Sequence, residues 1–125
     1  ERARERIRAG EASSLKSTPL ALEGITAVEV GRAAVEGDSL AMSVINEAGT
    51  TLGRHLASLV HAFNPEVIIF GGGVSQLGPV LFEPTEAALR SHVMHPAFLD
   101  GLRFAPAALG DDAGLIGALV LARES

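Results

Sequence analysis

Three consecutive glycines, Gly71, Gly72 and Gly73, follow the apolar run Glu66-Val67-Ile68-Ile69-Phe70 and stand a few residues before Gly78-Pro79. Glycine loses more chain entropy on ordering than any other residue, so a fold that holds three in a row uses either their φ/ψ freedom or their missing side chains. A glycine loop between a strand and a helix is the setting of a nucleotide site, where backbone N–H groups meet phosphate and the ligand approaches the main chain. The details match neither common template. Gln76 stands where the dinucleotide fingerprint needs Gly or Ala, and Pro79-Val80 follow Gly78 where a P-loop needs Lys and then Ser or Thr. On pattern alone the loop is either a ligand-contacting surface or a tight structural turn.

The remaining chemistry-bearing residues are sparse. His55, His61, His92 and His95 include a His-x-x-His pair, half of a zinc site by spacing. No cysteine or suitably placed carboxylate joins the pair, and Pro96 disturbs the helix it would need, so no metal ligands are assigned. Asp111 and Asp112 precede an apolar helix, where adjacent acids serve as cap and dipole residues more often than as a base and its partner. No catalytic residue is assigned. Gly114 and Gly117 give that helix a small-residue face, which predicts a neighbouring helix or a ligand lying close against it.

These residues need a scaffold, and a chain of 125 residues that is 47% hydrophobic can bury the core of one domain. No apolar run is long enough for a membrane span, and no stretch combines a basic segment, an apolar h-region and a small-residue cleavage site, so the expectation is a soluble cytoplasmic protein. The absence of cysteine excludes disulfides and thiolate metal sites. The net charge of −5 is uneven: from Ser17 onward there are five basic residues against twelve acidic ones. Such a body repels phosphate backbones, so no direct nucleic-acid contact is expected. The arginines of ERARERIRAGE interleave with Glu1, Glu5 and Glu11 and read as a solvated helix face.

Periodicity predicts helices over 1–9, 26–36, 39–63, 79–93 and 112–123, and parallel strands over 66–70 and 102–105, with 11–24 as loop. Thr26 and Glu29 have capping-box spacing, with Ile25 and Val30 placed for a hydrophobic staple. Gly37 stops that helix, Asp38 caps the next, and Asn64-Pro65 ends it. Gly49 and Gly53 lie one turn apart inside the long helix, at a cost of about 1 kcal/mol each against Ala unless a neighbour packs close. Pro84 either kinks the fourth helix or marks its first turn. Strand, loop, helix, strand makes the class α/β. A strand as apolar as EVIIF expects partners on both sides, which two strands cannot supply. The chain also begins with Glu inside a helix already under way, so a fragment is expected.

Read in order, ITAVEVGRAAVEGD, then INEAGTTLGRHLASLVHAFNPEVIIFGGGVS, then GDDAGLIGALVLA resemble the C-terminal part of ROK-family proteins, the group of repressors, open reading frames and sugar kinases. The resemblance covers nearly the whole chain, with NPEVIIFGGGVS and GDDAGLIGA its most specific pieces. It implies a partial RNase H-like domain of the actin-like ATPase and sugar kinase fold, strand order 3-2-1-4-5, with 66–70 as the fourth strand and 102–105 as the fifth. The upstream strands and the N-terminal lobe would be absent from this chain. In the family's kinases ATP lies between two lobes, with the glycine loop against adenosine. Carried over, this makes Gly71, Gly72, Gly73 and Val74 the cofactor-binding residues, with ATP and Mg²⁺ the cofactors and a sugar the substrate of the parent protein. The family's phosphate loops, catalytic aspartate, sugar-binding segment and zinc motif have no counterpart here, so the chain alone is expected to be inert and to hold nucleotide weakly. The resemblance leaves open a glucokinase-like enzyme, the sensor and dimerisation domain of a sugar-responsive repressor, or a non-catalytic assembly domain. A homo-oligomer, as a dimer, is expected in each case.

Overall fold

Side chains placed just ahead of the helices set where they begin. In the computed structural model, which describes residues 1–17, 22–73, 77–108 and 110–124, Thr26 accepts from the Glu29 amide while Glu29 takes the Thr26 amide at 2.6 Å, completing the capping box at the start of α2 (Ala27–Val35). Gly37, at φ +93°, follows its end. Asp38 then caps α3 (Ser39–Phe63), its Oδ1 accepting from the Ala41 amide at 2.8 Å. Asn64, left-handed at φ 45°, closes that helix ahead of Pro65. Asp38 also reaches backward: its Oδ2 accepts from the Ser14 amide at 2.6 Å and from the Ser13 and Ser14 hydroxyls at 2.9 Å. Burial pushes this carboxyl upward, but those four hydrogen bonds outweigh it and hold it down to about 2.

The other elements are α1 (Arg2–Arg8), β1 (Val67–Phe70), α4 (Pro79–His92), β2 (Arg103–Pro106) and α5 (Ala113–Glu124). Helix α3 lies against α4, and both run in the same direction. A Cβ built on Gly49 would stand 2.7 Å from the Pro84 ring and 3.1 Å from the Leu81 carbonyl. One built on Gly53 would stand 2.1 Å from the Thr85 carbonyl and 2.9 Å from the Leu89 amide. The two glycines therefore admit the partner helix to backbone contact, which answers why they occur inside a helix. Thr85, fully buried at this crossing, donates its hydroxyl to the Leu81 carbonyl at 2.7 Å. Pro84 lies inside α4, and it is Pro79 that occupies its first turn.

One core joins Ala3 and Ile7 of α1 to Leu15, Ile25, α2, Leu40, Ala41 and Ile45 of α3, and Leu81 of α4. Both members of the predicted staple, Ile25 and Val30, belong to it. A second core packs Ala57, Val60 and Leu89 against Ile68 and Phe104 of the sheet. The strands are parallel, with Val67 opposite Arg103 and Phe70 opposite Pro106. The second strand thus lies one residue later than the expected 102–105: the Leu102 amide is taken by the Leu99 carbonyl in a turn, while Pro106 sits at the strand end, where its missing N–H breaks no ladder bond. Within 11–24, read as loop, Ser14–Ser17 and Leu22–Gly24 form short 3₁₀ turns, and Leu15 is buried.

The expected solvated face of α1 is corrected in part. Arg2 pairs with Glu47 at 3.1 Å, Arg6 with Glu11 at 2.6 Å, and Arg8 with Glu23 at 3.0 Å. Arg4 is half-buried and donates to the Glu23 and Ile25 carbonyls, both at 2.8 Å, tying α1 to the approach to α2. The far side of the molecule differs. Val67 and Ile69 of β1 and Leu115, Leu119 and Leu121 of α5 are exposed. Among the described residues no atom lies within 4 Å of a Cβ built on Gly114, so no neighbouring helix packs against it. No helix among them is long and apolar enough to cross a membrane.

Candidate functional site

The glycine loop leaves the C-terminal end of β1, the end of a parallel sheet where ligands of α/β folds bind. Its start is fixed by the ladder: the Ala107 amide donates to the Phe70 carbonyl at 2.8 Å, and the Ala107 methyl lies 3.5 Å from where a Cβ of Gly71 would stand. Gly72 has φ +79°, the left-handed region where glycine is favoured. At Gly72 and Gly73 a built Cβ meets no described atom within 4 Å. This is unlike the occupied space at Gly49 and Gly53. Val74 lies outside the described residues.

Beneath the loop, Phe70 packs on Phe82 with ring centroids 4.8 Å apart and on Phe104 at 5.8 Å. These rings, with Ala105 and Pro106, line a small cavity of about 50 Å³. Downstream, the Leu77 side chain runs onto α2 and fills the space above Gly31. Gly78, at φ +59°, caps α4 and accepts from the Leu81 and Phe82 amides. Neither the aromatic floor nor the Leu77 contact is legible in local patterns, although a glycine in the middle of α2 is the kind of signal that marks a close neighbour.

Three of the histidines meet backbone groups. His61 Nε2 accepts from the Met94 amide at 3.0 Å, and His95 Nδ1 accepts from the Ala97 amide at 3.1 Å. His92 Nδ1 lies 2.8 Å from the Ala88 carbonyl, while His55 borders a groove between α1 and α3. Among the described residues no three His, Cys, Asp or Glu side chains are grouped to hold a metal ion. Asp111 and Asp112 lie in a 3₁₀ turn, Gly110–Asp112, that leads from the sheet into α5.

Residues 4–125 match the ROK family. The chain belongs to the ROK family. Among curated ROK relatives, a glucokinase of Halalkalibacterium halodurans is 41% identical over 93 residues, 74% of this chain and 28% of that protein. The DNA-binding transcriptional repressor Mlc of Escherichia coli is 32% identical over 98 residues, 78% of this chain and 23% of that protein. The chain thus spans less than a third of the length of either. A ROK glucokinase of Streptomyces griseus, solved in complex with glucose and AMPPNP, superposes with a TM-score of 0.82 at 31% identity, covering 99% of this chain and 41% of that one. The helix-rich unit with its small parallel sheet is accordingly part of the actin-like ATPase fold of ROK sugar kinases.

Proposed function

We propose that this chain is the C-terminal portion of one actin-like domain of an ATP-dependent, glucokinase-like sugar kinase, and that Gly71, Gly72 and Gly73, with Val74 beside them, form the adenosine side of its ATP cleft. The observation that carries the reading is that, at the C-terminal end of β1, a Cβ on Gly72 or Gly73 would meet no described atom within 4 Å, with Gly72 at positive φ. A nucleoside fits that bare backbone, and any side chain would intrude on it. ATP bound there supplies the phosphoryl group. The chain's own part is positional: β1 leads directly into the glycines, and Phe70, packed on Phe82 and Phe104, secures the strand end that carries them. Phosphoryl transfer depends on placing charge-stabilising groups around the γ-phosphate. Those groups, together with the ligands of Mg²⁺ and the base acting on the sugar hydroxyl, belong in this reading to the rest of the protein, so the chain alone is inactive.

Gly72→Val in the full-length protein tests this. Nucleotide affinity measured by calorimetry should fall at least about tenfold, roughly 1.4 kcal/mol, with sugar affinity unchanged. A change below about twofold sinks the assignment. The isolated chain should bind ATP no tighter than roughly 10 μM, because half a cleft buries little of the ligand.

A second reading, the sensor and dimerisation domain of a sugar-responsive repressor, is favoured by the similarity to Mlc over the same stretch. Sugar-dependent ATP turnover by the full-length protein supports the kinase; sugar-dependent operator binding without turnover supports the repressor. In either case the acidic surface argues against DNA contact by this part, and a cytoplasmic location suits both. The bare faces of β1 and α5 also favour self-association of the isolated chain. A clean monomer in sedimentation, with protected amides throughout β1, would count against that.

A further inference from the structure

Phe70 is the last residue of β1 and is bonded directly to Gly71, so whatever fixes its ring and its carbonyl fixes where the glycines leave the sheet. Two rings flank it, and they come from different elements. Phe82, in the first turn of α4, packs on it at 4.8 Å with the planes inclined by 40°; Phe104 of β2 stacks at 5.8 Å with the planes inclined by 21°. Both separations lie where aromatic pairs attract one another. Phe82 also packs against the core shared by α1, α2 and α3, and Phe104 against the core that holds Val60 and Leu89. The three rings therefore join the two cores at the point where the chain passes into the glycines. The polar part of the same joint is the Ala107 amide on the Phe70 carbonyl at 2.8 Å. Among the described residues β1 has a strand on one edge only. Phe104 and Ala107 thus hold Phe70 from that edge, and Phe82 is its contact with the helical layer.

We infer that Phe82 is a positioning residue for the glycine loop: its ring, packed on Phe70, sets the direction in which β1 delivers Gly71. The inference rests on the nucleotide reading above for its functional meaning. Phe82 is itself well fixed, because its amide donates to the Gly78 carbonyl at 3.0 Å and its neighbour Leu81 is buried in the core. Phe70 has more freedom. A cavity of about 50 Å³ already borders the three rings, between Ala105 and Pro106. Without the Phe82 ring, the space it leaves adds to that cavity. Phe70 can then tilt into the gap, which draws its carbonyl from the Ala107 amide. Gly71, which now stands with the Ala107 methyl 3.5 Å from where its Cβ would be, turns with it through the peptide bond they share.

The test uses the full-length protein carrying Phe82→Ala, Phe70→Leu, both together, and Phe82→Tyr, which keeps the ring. In Phe82→Ala, hydrogen exchange at the Ala107 amide should quicken at least about tenfold relative to the Ala41 amide, which Asp38 caps at the start of α3. ATP affinity should weaken about fivefold with sugar affinity unchanged, and Phe82→Tyr should keep both at the parental values. The double variant should bind ATP no more weakly than Phe70→Leu alone, since Phe82 acts on the loop through Phe70. Unchanged exchange at Ala107, faster exchange with parental ATP affinity, equal weakening of ATP and sugar, or losses that simply add overturn the inference. Faster exchange at Ala107 in a protein whose parent binds no ATP upholds the contact and overturns the nucleotide reading instead. Should Phe82→Ala fail to fold, Phe82→Leu, which keeps an apolar side chain but not the flat ring, takes its place with the same deciding outcomes.

Discussion

The pair α3 and α4 and the pair β1 and α5 are both apolar, yet they face opposite circumstances. Along the first pair, glycines admit a neighbour to backbone contact, and Val60 and Leu89 are fully buried. Along the second, Ile69 is 63% exposed and Leu119 61%. Equal hydrophobicity therefore does not signal equal completeness. The helical layer closes on itself within this chain, whereas the sheet end presents apolar surface of the extent that partner elements cover. The glycines sort the same way: those at 49 and 53 admit a packed neighbour, whereas a Cβ at 72 or 73 would meet no described atom within 4 Å.

Substitution in the closed region should produce the largest effect. Leu89→Ala removes a fully buried side chain and should lower stability by about 3 kcal/mol in urea denaturation, while Leu119→Ala should change it by less than about 0.5 kcal/mol. Gly53→Ala should destabilise by about 2 kcal/mol despite alanine's better helix propensity, because its methyl meets the Thr85 carbonyl. Equal losses from Leu89→Ala and Leu119→Ala would erase the contrast.

The Asp38 clamp comes next. Its carboxyl lies lower in the folded chain than in the unfolded one, so the unfolded state binds the proton first as pH falls. The stability it contributes, about 1 to 2 kcal/mol, is present above about pH 4 and is lost as pH falls toward about 2. Denaturation midpoints measured through that window should decline, and Asp38→Asn should flatten the decline. Hydrogen exchange should then separate the regions further, with the central amides of α3 slow and those on the open edge of β1 fast. The smallest effect is expected at Gly114→Ala. With no atom near its Cβ, this change should stabilise by about 0.5 to 1 kcal/mol through helix propensity alone, the opposite sign to Gly53→Ala.

Much of this was readable in the residues. The starts of α2 and α3 followed from Thr26, Glu29 and Asp38, because capping is a local interaction between residues three apart. The incomplete sheet followed from an apolar strand with too few partners. The second strand slipped by one residue because Pro106 reads as a stop, while at the end of a parallel pair its absent amide is not needed. Arg4 was misread as solvated because its acceptors, the carbonyls of Glu23 and Ile25, lie about 20 residues away in the chain. Of the candidate site, the glycine loop and its place after a strand were legible. The aromatic floor and the Leu77 seat were not, since each joins segments that only the fold brings together.

The two glycines of α3 also determine which motions remain open to the molecule. Sliding α3 by one turn along α4, about 5.4 Å, would carry either Ala57 or Ile45 into a slot that now admits only glycine, against the Thr85 carbonyl or the Pro84 ring. A one-turn slip of these helices past one another is therefore blocked in both directions, and the crossing is locked in the register that the two glycines set.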